Sequence, residues 1–145
     1  MYLNISSCFL GQQPLTEKEL KNIQPIALAY IGDTIFDVYL RSRLVAFTTL
    51  TPAGLHQAAS RYANASAQAQ IMYRIEKTLT EEEHEIFRRG RNAKSHTIPK
   101  NAKPYDYRMA TAFECLLGYL YLSGQDQRLI EVLETAVPEL IEEVS

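Results

Sequence analysis

Apolar residues recur at three- and four-residue intervals along most of this chain, and no segment alternates convincingly with a period of two. That pattern predicts an all-α protein. The stretch from Pro25 to about Leu44 is apolar on most faces, which predicts a central, buried helix, and proline suits its first turn. Thr51-Pro52 opens a second helical region that runs through Leu79, is rich in Ala and Gln, and is expected to break near Asn64. Thr80 with Glu83 three residues later forms a capping box. The helix it starts is predicted to reach about Arg89, with acids at its beginning and basic residues at its end, as the helix dipole favours. Gly90–Lys103 reads as the one extended loop. Pro104 then begins another long helix through Leu122, and Ser123-Gly124 stops it. A last amphipathic helix is expected over about Asp126–Val137, with a short acidic tail after Pro138. Residues 1–16 read as a loosely structured amino-terminal segment, and 17–145 as one domain.

Two carboxylates interrupt the apolar pattern. Glu114 is the only charged residue between Arg108 and Asp126, and Asp33 and Asp37 are the only ones between Lys21 and Arg41. A buried carboxylate without a partner costs several kcal/mol, so such groups are usually paired or bound to a metal. One reading joins Asp33 and Glu114 around a single cation, and hard carboxylate oxygens suit Mg²⁺ or Mn²⁺. The other reading makes them structural: Asp33 bonded to a neighbouring helix or an arginine, Glu114 in an ion pair with Arg108 or Arg41. Gly32 adjoins Asp33, and Gly118 lies four residues past Glu114 on the same helical face. A mid-helix glycine costs about 1 kcal/mol relative to alanine, which points to a close approach of backbones there. Asp37, one turn beyond Asp33, reads as a solvated side chain rather than a group that orients a ligand.

Composition adds a substrate class. At 145 residues, 46% hydrophobic and 22% charged, the chain fits one soluble domain with a real core. Its net charge of −2 gives no global sign of nucleic-acid binding. The distribution is more telling. Arg88, Arg89, Arg91, Lys94, Lys100 and Lys103 fall in one acid-free segment, whereas the other nine basic residues share the chain with all 17 acidic ones. Such segregation is an electrostatic footprint for phosphate, and Asn92, Ser95, Thr97 and Asn101 add donors suited to phosphate and sugar oxygens. A solvated basic loop balancing acidic helices is the alternative. His96 within it reads as a surface histidine. The tyrosines on the apolar helices read as core or dimer contacts. Cys8 and Cys115 lie far apart in unlike contexts, so neither a disulfide framework nor a zinc site is expected, and the reducing cytosol is the natural compartment. No secretory signal, membrane span or internal repeat is evident.

Ala27-Leu28-Ala29-Tyr30-Ile31-Gly32-Asp33-Thr34-Ile35-Phe36 resembles the signature helix of ribonuclease III catalytic domains. The segment Thr111-Ala112-Phe113-Glu114-Cys115-Leu116-Leu117-Gly118-Tyr119-Leu120-Tyr121-Leu122 resembles their second metal-binding helix. Arg89-Gly90-Arg91-Asn92-Ala93-Lys94-Ser95, followed by Pro99-Lys100-Asn101, is similar to the basic loop of the Mini-III subclass. The likeness runs from about Pro25 to Ile130, with three motifs in order.

The resemblance implies an all-α ribonuclease III-like homodimer that cleaves double-stranded RNA with Mg²⁺, Mn²⁺ being a substitute. It implies a catalytic domain alone, without a double-stranded RNA-binding domain, and a role in the cytoplasm trimming the precursor of large-subunit ribosomal RNA, where a ribosomal protein helper has a place. Asp33 and Glu114 are then the catalytic metal ligands. Arg88, Arg89, Arg91, Asn92, Lys94, Ser95, Lys100, Asn101 and Lys103 are the RNA contacts. The acidic set is reduced: Ile26, Ala29 and Thr111 stand where ordinary ribonuclease III has two glutamates and an aspartate. Thr111, one turn from Glu114, is a candidate to hold a metal-bound water. The thin set keeps a second reading open, a non-catalytic dimer on ribosomal RNA. A helical DNA-binding regulator fits less well, because the basic residues cluster in a loop and not along a helix face.

Overall fold

The computed structural model describes residues 4–93, 100–101 and 103–138. Their regular structure is eight α-helices and one 3₁₀ turn: α1 (Ile5–Leu10), α2 (Glu17–Lys21), α3 (Pro25–Phe47), α4 (Pro52–Ala63), α5 (Ala65–Ile75), the 3₁₀ turn Glu76–Thr78, α6 (Glu81–Arg91), α7 (Pro104–Leu122) and α8 (Asp126–Ala136). The local signals act as predicted. Pro25, Pro52 and Pro104 each occupy a first helical turn. Asn64 breaks the second region: its backbone is extended, and its Oδ1 accepts the Ala67 N–H at 2.8 Å. Gly124, at φ 74°, takes the left-handed conformation that ends the α7 turn.

The centre of the molecule is α7. From Met109 to Tyr121 every residue except Glu114 is buried, and α3, α5, α6 and α8 all pack on it. The expectation that the Pro25 helix would be the buried centre is therefore corrected. α3 buries one stripe, Leu28, Ala29, Gly32, Phe36, Leu40 and Leu44, with Phe36 edge-on to Phe113 at 5.1 Å. Its other side leaves Ile26, Tyr30, Val38, Val45 and Phe47 exposed. An all-round apolar helix can thus be half-buried in one chain.

Two further expectations are corrected. The amino-terminal segment is not loose over its described part: α1 buries Ser6 and Ser7, Asn4 Nδ2 donates to the Gly124 carbonyl at 2.6 Å, and the Ile5 N–H donates to Asp126 Oδ2 at 3.0 Å. The basic loop also begins later than Gly90, because α6 continues through Arg91.

The capping box of α6 does more than cap. Thr80 Oγ1 accepts the Glu83 N–H at 3.2 Å, and Glu83 Oε1 accepts the Thr80 N–H at 3.0 Å. Arg128 of α8 then donates from Nη2 and Nε to the two Glu83 oxygens, each at 2.9 Å, while Nη2 also reaches the Thr78 carbonyl at 3.0 Å. Burial alone would raise the Glu83 pKa, but the Arg128 hydrogen bonds and charge and the Thr80 contacts together hold it below the usual range. Its contribution is therefore present above the ordinary glutamate pKa and is lost as pH falls through the lowered folded value. Glu83→Ala is expected to cost about 3 kcal/mol, read from denaturant unfolding, because it leaves the Arg128 charge in a partly desolvated site without its partner.

Candidate active site

The site is assembled by two glycines. A Cβ on Gly32 would overlap the Glu114 carbonyl oxygen and lie 2.7 Å from the Glu114 carbonyl carbon and 3.0 Å from the Gly118 nitrogen. A Cβ on Gly118 would overlap the Leu28 carbonyl oxygen and lie 2.9 Å from Ile31 Cγ2. α3 and α7 thus touch backbone to backbone where they cross, as the placement of these glycines predicts. The crossing brings Asp33, next in sequence to Gly32, beside Glu114.

Asp33 and Glu114 meet within hydrogen-bonding reach. Burial, then the hydrogen bond to Asp33, then the Asp33 charge push the Glu114 carboxyl up to about 9. The structure does not strand both acids in the interior: Asp33 is exposed, and only Glu114 is partly withdrawn from solvent. Neither structural alternative for Glu114 is realised. Arg41 instead pairs with Asp37 at 3.4 Å, one turn along α3, and Arg108 is exposed. Asp37 is accordingly a solvated, ion-paired side chain.

Two adjacent carboxyls, with no counter-charge between them among the described residues, suit a divalent cation, which would relieve their repulsion and favour the ionised form of both. Hard oxygen donors fit Mg²⁺ or Mn²⁺. Among the described residues no group of three or more His, Cys, Asp or Glu side chains could hold a metal, so the protein offers this pair, and water or phosphate oxygens would fill the remaining positions. Thr111 is buried one turn before Glu114, but its Oγ1 donates back to the Tyr107 carbonyl at 3.0 Å. Its proton is therefore committed to the helix, and only its lone pairs could receive a water.

The basic segment divides in two. Arg88, Arg89 and Arg91 lie in the last turns of α6, and Asn92 closes that helix. Arg88 is exposed and 3.0 Å from His84 Nδ1. Arg91 lies over the Phe87 ring at 5.3 Å, with Nε 3.3 Å from Asn92 Oδ1. Arg89 is held differently from these: its Nη2 donates to the Ile23 carbonyl at 2.9 Å and reaches the Lys21 carbonyl at 3.4 Å. Lys100, Asn101 and Lys103 are exposed, whereas Lys94, Ser95, His96 and Thr97 lie outside the described residues. A second acid-free stretch, Val38–Ile75, escaped notice in the sequence because its arginines are widely spaced. The fold presents His56 and Arg61 from it on the exposed side of α4.

Comparison with known proteins decides the family. The family model described as "Ribonuclease III domain" matches residues 26–125, a span that holds Asp33, Glu114 and the whole basic segment. The chain belongs to the ribonuclease III family. Proteins named Mini-ribonuclease 3 are similar over most of it: that of Clostridium tetani is 42% identical over 94% of this chain and 90% of its own length, and that of Symbiobacterium thermophilum is 46% identical over 79% and 88%. The one from Brevibacillus brevis is 47% identical over 77% and 84%. Among solved structures, a protein from Fusobacterium nucleatum superposes with a TM-score of 0.75 at 25% identity, over 81% of this chain and 94% of that one. As a member of the ribonuclease III family the chain is an endoribonuclease, a hydrolase of RNA, and the family's general dependence on a divalent metal matches the unneutralised acid pair. No helix among the described residues is long and apolar enough to cross a membrane.

Proposed function

We propose that this chain cleaves double-stranded RNA as a Mg²⁺-dependent homodimer, with residues 17–145 as its single catalytic domain and α1 tied onto it, and that it matures the precursor of large-subunit ribosomal RNA in the cytoplasm. The observation that carries the reading is the Asp33–Glu114 pair: two carboxyls from different helices, brought into contact by Gly32 and Gly118, with no cationic side chain between them among the described residues. Asp33 and Glu114 hold the metal. When bound, Mg²⁺ supplies a Lewis acid at the scissile phosphate and a water of lowered pKa. The protein's own part is to fix the two ligands and to bring a phosphodiester to them. Arg88, Arg91, Asn92, Lys100, Asn101 and Lys103 grip the sugar–phosphate backbone. A-form RNA is recognised mostly by shape and 2′-hydroxyls, so weak sequence preference is expected.

The exposed side of α3 supports the homodimer. Ile26 (46% exposed), Tyr30 (81%), Val38 (57%) and Val45 (66%) follow one another at helical spacing beside Asp33. A second copy covering this face would remove the apolar patch from water and set two acid pairs in one particle, one for each RNA strand.

The reading is tested by incubating the chain with end-labelled RNA duplex, the same RNA single-stranded, and a DNA duplex. Expected is cleavage of the RNA duplex alone, dependent on Mg²⁺, stopped by EDTA, and yielding 5′-phosphate and 3′-hydroxyl ends. Binding of duplex RNA without cutting in Mg²⁺ or Mn²⁺ would overturn it in favour of a non-catalytic module. The same assay run with and without a ribosomal protein shows whether a helper is used. The grip has its own expected result: the double variant Arg91→Gln/Lys100→Gln should weaken RNA binding and reduce the slope of log affinity against log salt by about one unit for each phosphate no longer neutralised. An unchanged slope would place the grip elsewhere.

A further inference from the structure

The last turn of α6 carries two residues, Arg89 and Gly90, that meet other parts of the protein. Arg89 Nη2 is bonded to the Ile23 carbonyl at 2.9 Å and reaches that of Lys21 at 3.4 Å, where α2 ends and the chain turns into α3. Its neighbour Gly90 lies flush on α7: a Cβ there would be 2.8 Å from Ala112 Cα, 2.9 Å from Cys115 Sγ and 3.1 Å from Cys115 Cβ. Ala112 lies two residues before Glu114 and Cys115 directly after it. Cys115 in turn donates its S–H to the carbonyl of Pro25, the first residue of α3, at 2.9 Å. The end of α6 is therefore tied on one side to the entry of the helix that bears Asp33, and on the other to the helix that bears Glu114. The same turn carries Arg88, Arg91 and Asn92.

We propose that Arg89 and Gly90 are positioning residues: they fix the spacing between the phosphate-gripping turn of α6 and the Asp33–Glu114 pair, and Arg89 makes no phosphate contact of its own. The inference rests on the reading of that pair as the catalytic metal site. Its physical basis is that a guanidinium already bonded to two backbone carbonyls at a helix end is held where the partial negative charge favours it, whereas a grip displaced by even about 1 Å delivers the phosphodiester out of line with the reacting groups.

The test compares Arg89→Gln, Arg89→Lys and Gly90→Ala with the unaltered chain. The measurements are kcat and KM on an RNA duplex, the salt dependence of RNA binding, and Mn²⁺ affinity without RNA, all well below each melting temperature. Expected is a fall in kcat of about 10- to 100-fold for Arg89→Gln and Gly90→Ala, with the salt slope and Mn²⁺ affinity unchanged. Part of the kcat should return in Arg89→Lys, which keeps a cationic donor for the carbonyls. A salt slope shallower by about one unit in Arg89→Gln would show that Arg89 contacts phosphate and overturn the proposal. So would a lowered melting temperature with kcat intact, or weakened Mn²⁺ binding, which would place the effect in the metal pair itself. If Arg89→Gln does not fold, Arg89→Lys and Gly90→Ala carry the comparison. An unaltered chain that does not cut duplex RNA would refute the proposed function instead.

Discussion

Asp33→Asn is expected to abolish cleavage of duplex RNA while making the metal-free protein more stable at alkaline pH. The first effect follows from removing one of the two carboxyls proposed to hold the metal, a loss of several kcal/mol that corresponds to about a thousandfold or more in rate. The second follows from the electrostatics of the pair. Burial, the hydrogen bond to Asp33 and the Asp33 charge push the Glu114 carboxyl up to about 9. In the unfolded chain an ordinary glutamate loses its proton near 4.5. Between those two values the native state binds more protons than the unfolded state, so stability falls as pH rises across that window and levels off above it. Asparagine at position 33 removes the charge that opposes ionisation of Glu114. In EDTA, the unaltered protein should therefore show a melting temperature that declines from about pH 5 to pH 9. The decline should be smaller in Asp33→Asn, and smaller again in Glu114→Gln, which has no carboxyl left to titrate at that position. Saturating Mg²⁺ should raise the melting temperature of the unaltered protein most where the decline is largest. Full activity in Asp33→Asn, or a pH profile identical in all three proteins, would sink the metal-pair assignment.

Gly32→Ala should disable the enzyme without touching a ligand. Its Cβ would overlap the Glu114 carbonyl oxygen, and neither backbone can yield as the tip of a flexible side chain does. The two helices must move apart along the crossing that holds the core together. Overpacking of this kind costs about 3 kcal/mol, and the shift separates the two carboxyls as well. Loss of Mn²⁺ binding and of cleavage should accompany the fall in denaturant midpoint. Gly54→Ala is the control. The nearest atoms to a Cβ at position 54 would be those of the Leu50 side chain and Thr51 Oγ1, at ordinary contact distances from 3.4 Å. That variant should be neutral or gain up to about 1 kcal/mol from the higher helix propensity of alanine. Gly32→Ala with normal metal affinity would show that the close crossing is not what sets the site.

Much of this was legible in the sequence because its signals are local. The three prolines at helix starts, the Thr80–Glu83 box and the Asn64 break each act over a few residues, and all appear where expected. The glycines also spoke for themselves, since a mid-helix glycine has a cost that a backbone contact explains. What the chain alone could not reveal depended on which partner covers which face. The apolar circumference of α3 looked like burial on all sides, yet a single chain covers only one stripe of it. Asp33 looked stranded for the same reason, whereas it sits on the open side of the crossing. Arg89 was indistinguishable by charge from its neighbours, and only the position of the Ile23 carbonyl separates it from them. The Glu83–Arg128 pair, which ties the start of α6 to α8, joins residues too far apart in sequence for either to point to the other.

The burial of α7 has a consequence for the order of events during synthesis. Its thirteen-residue run from Met109 to Tyr121, interrupted only by Glu114, is the surface on which α3, α5, α6 and α8 assemble, and it is made after most of them. Until it leaves the ribosome, the earlier helices have exposed apolar faces and no common partner, and Asp33 has no companion acid. Such long-range closure is slow compared with the formation of single helices. The two acids that α3 and α7 carry are therefore brought together only after α3, α5 and α6 have been made and α7 has followed them.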